Sequence, residues 1–333
     1  MSQLAMKWLI NTWYNRHPIR WFLAPISGLF RLITTLRKAG YKQVFFKQSK
    51  LIAPVIIVGN ISVGGTGKTP FVIWLVKQLQ LAGYKPGVIS RGYGGQSEQY
   101  PVAVNANSAP AIVGDEPIII AKQAACPVVV SPKRVEAANF LLAHYDCDII
   151  ISDDGLQHYA LARDIEIVIV DSQRQFGNQY CLPAGPLREP ISRLLTVDFI
   201  VSNGHSDKQA FNMTLHPAQA INLADPTIKR PIASFQSEPL HAVAGIGNPS
   251  RFFDSLQQNK LTITAHPFDD HHAFKSSDLN FGDQHQILMT EKDAVKCTNF
   301  AKKNMWYLPV NVTVDNRLDQ LIIQKIAGIN TDG

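Results

Sequence analysis

PVIIVGNISVGGTGKTP, Pro54–Pro70, is the stretch whose reading decides the fold. Val55–Val58 form an unbroken apolar run, as suits a strand covered on both faces. The chain then turns through Gly64, Gly65 and Gly67 and enters a segment with Phe71, Trp74, Leu75 and Leu79 on one helical face. A strand, a glycine turn and a helix start in that order bring backbone N–H groups and the positive end of a helix onto phosphate oxygens. Ser62, Val63, Gly64, Gly65, Thr66, Gly67, Lys68 and Thr69 match the spacing GxxxxGK[ST] except at its first place, where Ser62 stands for Gly. In that pattern Lys68 reaches the β- and γ-phosphates and Thr69 ligates Mg²⁺.

Outward from this loop, apolar strands alternate with helices. Strands are expected at Val55–Gly59, Gly87–Ser90, Pro127–Val130, Asp148–Ser152, Ile165–Val170 and Asp198–Ser202. Helices are expected from Lys68, near Pro117–Ala125 and over Arg134–His144. Such alternation specifies an α/β fold with a mostly parallel, Rossmann-like sheet covered on both faces. Periodicity weakens over Phe211–Leu223, a linker or small hairpin. A second α/β stretch follows, with strands at His241–Ala244, Leu261–Ala265, Gln286–Thr290 and Trp306–Pro309 and a helix around Leu318–Ile326. The expected division is an N-terminal segment 1–50, a P-loop domain 51–205, a linker 206–236 and a smaller domain 237–333, with Asn330–Gly333 as a frayed end.

Which P-loop class this is turns on two further positions. Dimer-switch ATPases carry a lysine where Val63 stands, and the guanine-recognition pattern [NT]KxD fails at Thr290–Asp293, where Glu291 takes the place of Lys. Both point to an ATP-using transferase. Asp153 and Asp154 follow the run IIIS, so two carboxylates emerge at the C-terminal edge of a strand, where a P-loop enzyme holds Mg²⁺. Transfer to a hydroxyl also needs a proton acceptor. Asp115 in VGDEP and His271 in FDDHHAF, beside Asp269 and Asp270, are the candidates, and Arg91 and Arg188 are candidate clamps for phosphoryl charge.

Charge is distributed unevenly. Residues 1–97 carry thirteen Lys and Arg and no acidic residue, while residues 98–333 carry nineteen against twenty-six acidic ones. The basic part faces an anionic partner: a nucleic acid, a lipid headgroup surface or a phosphorylated substrate. From Ile26, the residues Ile26, Leu29, Phe30, Ile33 and Leu36 line one side of a helix, with Arg31, Thr34, Thr35 and Lys38 opposite and Pro25 in its first turn. Trp8, Trp13 and Trp21 lie nearby among Arg16, His17 and Arg20. The apolar stretch Trp21–Ile33 is short for a span and is broken by Arg31, so it is expected to lie on a membrane or to pack on the protein's own core. No small-residue cleavage site marks a secretory signal. The four cysteines show no CxxC pairing and read as reduced, buried hydrophobes with no cysteine-based zinc site.

The ordered set SVGGTGKTP, SRGYGG, GDEP, SPKR, SDDGLQH, LPAGPLREP, GIGNPSRFF, DHH and MTEKDAVK covers nearly the whole chain and resembles one family, the tetraacyldisaccharide 4′-kinases of lipid A biosynthesis. The resemblance implies transfer of the ATP γ-phosphate to the 4′-hydroxyl of a lipid A disaccharide 1-phosphate, giving lipid IVA. It implies ATP and Mg²⁺ at Lys68 and Thr69, Asp153 and Asp154 in the metal region, and Asp115 as general base assisted by His271. Glu189 is then a further active-site carboxylate, and Gln157 and His158 border the acceptor. It also implies a peripheral or monotopic enzyme at an anionic membrane surface, the cytoplasmic face of the bacterial inner membrane, with neither nucleic acid nor a protein partner required. Lobe closure is expected to bring His271 to Asp115. Asp269 departs from the family's FPDHH, where proline is usual. A membrane-binding nucleotide switch and a nucleic-acid-binding ATPase are the rival classes.

Overall fold

The computed structural model describes residues 12–15, 17–206 and 210–331; Trp8 and Arg16 lie outside them, as do Asp332 and Gly333. The expected N-terminal helix is α1, Ile19–Lys42, and the P-loop leads from β1, Val55–Gly59, into α2, Lys68–Leu81. The strands β2 (Pro86–Ser90), β3 (Val102–Val104) and β4 (Val128–Val130) follow, with α3 (Asp115–Ala124) between β3 and β4. Next come α4 (Arg134–His144), β5 (Ile149–Asp153), β6 (Ile165–Asp171), β7 (Phe199–Asn203) and β8 (Phe211–Pro217). The second lobe contains β9 (Ala220–Asn222), β10 (Lys229–Arg230), β11 (Leu240–Ala244), α5 (Pro249–Gln258), β12 (Ile263–Pro267), β13 (Gln286–Thr290), α6 (Glu291–Cys297) and β14 (Met305–Leu308). The described chain ends with β15 (Val310–Val314) and α7 (Leu318–Thr331).

Nine strands form the first sheet in the order β15-β8-β7-β6-β1-β5-β2-β4-β3, and pairing is parallel except at the two edges. Every residue of β1 and β5 is buried, which is why both read as continuous apolar runs. One face is covered by α2, α3 and α7, through Phe71, Leu75, Leu79, Ile118, Leu318, Ile322 and Ile326. The other is covered by α4 and the segment around Leu187. The second sheet, β10-β9-β14-β13-β11-β12, is mixed: β14, β13, β11 and β12 pair in parallel up to one edge, and β9 and β10 are antiparallel at the other.

The two sheets do not divide the chain at a single point. β8, within the expected linker, joins the first sheet, and β15 and α7 return to it from the second lobe. The weak periodicity of Phe211–Leu223 arises because its two strands serve different sheets. α7 runs to Thr331, past the start of the expected frayed end. Of the cysteines, Cys181 and Cys297 are buried, whereas Cys126 and Cys147 are half-buried.

The helix α1 differs from expectation in length. It begins at Ile19, so Pro25 lies inside it, and its 24 residues reach about 36 Å. By length and composition it is able to cross a membrane. Its docked side is narrow: Ser27 Oγ donates to the Cys181 carbonyl at 2.8 Å and accepts from Ala184 N at 2.9 Å, and Phe30 packs on the core rather than on the open face. Ile26, Leu29, Leu32, Ile33 and Leu36 are all more than half exposed, so burial in the protein does not account for the apolar stripe.

Candidate active site

The phosphate loop is built from both sides. On its N-terminal side, Val63 N donates to Pro186 O at 2.8 Å and Arg188 N to Ile61 O at 2.7 Å, with Ser62 bridged antiparallel to Leu187. Ser62 is therefore in a short strand-like pairing, where no glycine conformation is needed. The positive φ values fall instead at Gly64 (109°) and Gly67 (92°). A Cβ at Gly67 would meet Asn203 Nδ2 at 2.5 Å. That amide donates to Thr66 O at 2.9 Å, and Asn60 Nδ2 donates to Gly64 O and Thr66 Oγ1, both at 3.3 Å. Two buried asparagines thus hold the carbonyls back and leave the loop's N–H groups to an anion.

Asp153 and Asp154 end β5 beside this loop and sit in opposite environments. Asp154 adopts a left-handed φ of 50° and faces two cations, Lys68 Nζ at 3.5 Å and Arg188 Nη1 at 3.2 Å. Burial would raise its pKa, but Lys68 and Arg188 outweigh burial and hold it at about 2. Asp153 is fully buried, and neither of its carboxylate oxygens has a hydrogen-bond partner among the described residues. Burial and the nearby Glu116 push its pKa up to about 7 against the pull of Lys68. An orphaned buried carboxylate at a strand end, next to a second carboxylate, suits a hard divalent cation, so these residues fit Mg²⁺. Behind them Arg134, itself buried, donates to the Asp153 and Asp154 carbonyls at 3.4 and 3.3 Å. SPKR was visible as a motif in the sequence, but nothing local revealed this use of its arginine.

Asp115 begins α3 after Gly114, whose positive φ of 85° and close approach to Tyr93 O favour glycine. Its Oδ2 lies 3.2 Å from His271 Nδ1 of the second lobe. His271 is also left-handed, at φ 61°, in a turn where His272 N donates to Asp269 O at 3.0 Å, and its ring packs on Tyr93 at 4.8 Å. Asp270 lies 3.8 Å from its Nε2. Lys292 closes the group: its Nζ lies 3.1 Å from Glu116, 3.2 Å from Asp270 and 3.4 Å from His271 Nε2. Burial opposes ionisation of Asp115, yet His271 and Lys292 together bring its carboxyl below the usual range. Burial also disfavours the Lys292 charge, but Glu116, Asp115 and Asp270 more than offset it and raise its pKa. The failed guanine motif thus contributes a cation to this cluster, and its Asp293 holds Gly245 N at 2.8 Å. The Asp115–His271 contact is made in this arrangement of the lobes.

The remaining candidates are placed differently. Glu189 is buried and saturated: Gln157 donates to it at 2.8 Å, Tyr159 at 2.6 Å, and Arg193 lies at 3.2 Å. Gln157 also donates to Asn60 O at 3.1 Å, so the Glu189 network braces the phosphate loop from behind. Burial and surrounding arginines, Arg134 and Arg163 foremost, bring His158 down to about 4. Arg91 is exposed just past β2. Across the cleft, Arg174 donates to Gly247 O at 3.0 Å and Arg251 to Asn203 Oδ1 at 2.7 Å, which seats GIGNPSR against the loop. These long-range partners carry no local sequence signal.

Fold and site together define a P-loop phosphotransferase. The family model for tetraacyldisaccharide-1-P 4′-kinase matches residues 19–327, and the chain belongs to that family. It is 53% identical over 306 residues to a tetraacyldisaccharide 4′-kinase of Nitrosococcus oceani, covering 92% of this chain and 90% of the relative. It is 48% identical over 328 residues to that of Methylobacillus flagellatus, covering 98% of each. The crystal structure of LpxK from Aquifex aeolicus in complex with ATP superposes with a TM-score of 0.77 at 28% identity, over 92% of this chain and 99% of that one. The chain carries out ATP-dependent transfer of phosphate to tetraacyldisaccharide-1-P to form lipid IVA.

Gly67→Ala places a methyl group against Asn203 and strains the backbone. The expected result is at least a tenfold loss of ATP affinity by titration calorimetry, while Ser62→Gly stays within about twofold.

Proposed function

We propose that Asp115 and His271 jointly receive the proton of the 4′-hydroxyl as its oxygen attacks the γ-phosphorus and ADP leaves. The observation that carries this reading is their 3.2 Å contact across the two lobes. Asp115 is ionised at neutral pH and accepts; His271 shares the proton and fixes the carboxylate's orientation. Lys68 neutralises charge on the transferred group, with Arg188 and the loop N–H groups in support. Thr69, Asp153 and Asp154 are the residues that would hold Mg²⁺, and the ion would supply positive charge against the developing phosphoryl charge. Lys292 positions His271 and keeps Asp115 charged. Glu189 acts through Gln157 on the loop rather than on the reacting atoms. Arg91 stands open at the cleft as a contact for the substrate phosphate.

Single-turnover transfer from γ-labelled ATP to the lipid acceptor tests the pair. Asp115→Asn and His271→Ala are expected to lower the rate by about 10²- to 10⁴-fold with ATP affinity nearly unchanged. Near-normal turnover in either variant sinks the assignment. The acid limb of the rate profile supplies a separate check. Activity requires ionised Asp115 and falls as pH drops through its depressed pKa. Removing a cation raises that pKa, so Lys292→Met is expected to move the limb to higher pH.

The exposed stripe of α1 and the basic first part of the chain support attachment to an anionic membrane surface at the cytoplasmic face, where a lipid substrate is within reach. The triple change Leu29→Ser, Ile33→Ser and Leu36→Ser leaves docked residues untouched. It is expected to abolish co-sedimentation with phosphatidylglycerol vesicles while ATP binding persists; unchanged sedimentation refutes this role for the stripe.

A further inference from the structure

At the opposite end of the second sheet from His271 and Lys292, three potential metal ligands converge. His241 stands near the start of β11, and Asp283 and His285 precede β13. The His241 Nε2 atom lies 3.0 Å from Asp283 Oδ2, and His285 Nδ1 lies 3.2 Å from the same oxygen. One ligand atom from each residue falls within 4.8 Å of the other two. Zinc at about 2.0–2.1 Å from nitrogen and oxygen ligands has tetrahedral edges of roughly 3.3 Å, close to the two spacings to Asp283.

The surroundings are those of a ligand site. The other nitrogen of His241, Nδ1, is 2.9 Å from His266 Nε2 on β12. With a metal on Nε2, Nδ1–H donates to His266, which fixes the tautomer as outer partners of metal-bound histidines do. Phe281 packs on His241 and His266 at 4.2 and 4.0 Å and walls off one side. A small cavity of about 110 Å³ opens on the cluster, with Asn304 and exposed Lys302 among its lining residues, and has room for the ion and a water as fourth ligand.

We propose that His241, Asp283 and His285 form a zinc-class metal site that clamps the turn before β13 to β11. Two imidazoles and one carboxylate select a borderline dication such as Zn²⁺ over Mg²⁺, which prefers oxygen ligands alone. The site lies apart from the catalytic cluster, because Lys292 follows the opposite end of β13. It rests on none of the catalytic assignments above.

The test uses the untagged full-length chain, stripped with chelator and held in excess Mg²⁺ to occupy oxygen-only sites. Zn²⁺ is titrated in competition with a chromogenic chelator, and Co²⁺ is added in a parallel sample. One equivalent of zinc per chain and an intense tetrahedral cobalt band are expected. Asp283→Asn and His285→Ala, both at exposed positions, should each weaken zinc binding at least tenfold, and His266→Gln roughly tenfold as an outer partner. Zinc should raise the melting temperature of the wild type and not of the Asp283→Asn, His285→Ala double variant. Equal zinc uptake by wild type and double variant overturns the proposal. So does a weak octahedral cobalt spectrum in the wild type, an outcome that does not depend on any variant folding.

Discussion

A carboxylate held inside a dry sheet without a hydrogen-bond partner is the constraint around which the active site is arranged. Asp153 closes a strand whose every residue is buried, and a charge there is strongly disfavoured unless cations face it. Lys68 approaches from the phosphate loop and Arg134 from the start of α4. Asp154, one residue on, turns left-handed toward Lys68 and Arg188. The neighbouring acids therefore differ in their surroundings: Asp154 is ion-paired, and the Asp153 oxygens have no hydrogen-bond partner among the described residues. Loop, strand end and the Leu187 segment are all positioned by how these charges are balanced.

The second lobe contributes to the same balance from across the cleft. Lys292 is half-buried among Glu116, Asp270 and His271, so its charge links α3 of the first lobe to two turns of the second. The catalytic pair and the lobe contact are consequently one structure. A change that loosens the contact alters the protonation of Asp115 as well as the distance to His271. Arg251 and Arg174 add a second point of attachment directly over the phosphate loop.

Much of this was legible in the sequence, and for identifiable reasons. The P-loop is local: its strand, turn and helix start lie within Pro54–Pro70, and its chemistry depends on backbone geometry that glycine spacing reveals. The buried strands were visible because burial on both faces demands unbroken apolar runs. Asp115 and His271, by contrast, gained their roles from the family resemblance, since 156 positions separate them and neither has a distinctive local setting. Asn60, Asn203, Arg134 and Lys292 were missed as individual residues because their functions consist of partners far away in the chain. Ser62 looked like a defect in the motif until its pairing with Leu187 showed that this position is extended. Phe211–Leu223 looked like a linker because one segment supplies strands to two sheets.

That crossing has a mechanical side. The chain passes from the first sheet to the second between Pro217 and Ala220, and returns through Pro309 alone. The two crossings lie side by side, with Ala218 N donating to Pro309 O at 2.9 Å. A double-stranded strap resists torsion better than a single tether, so this connection favours bending of the lobes over twisting. A single backbone cut at either crossing would still leave the lobes joined by the other.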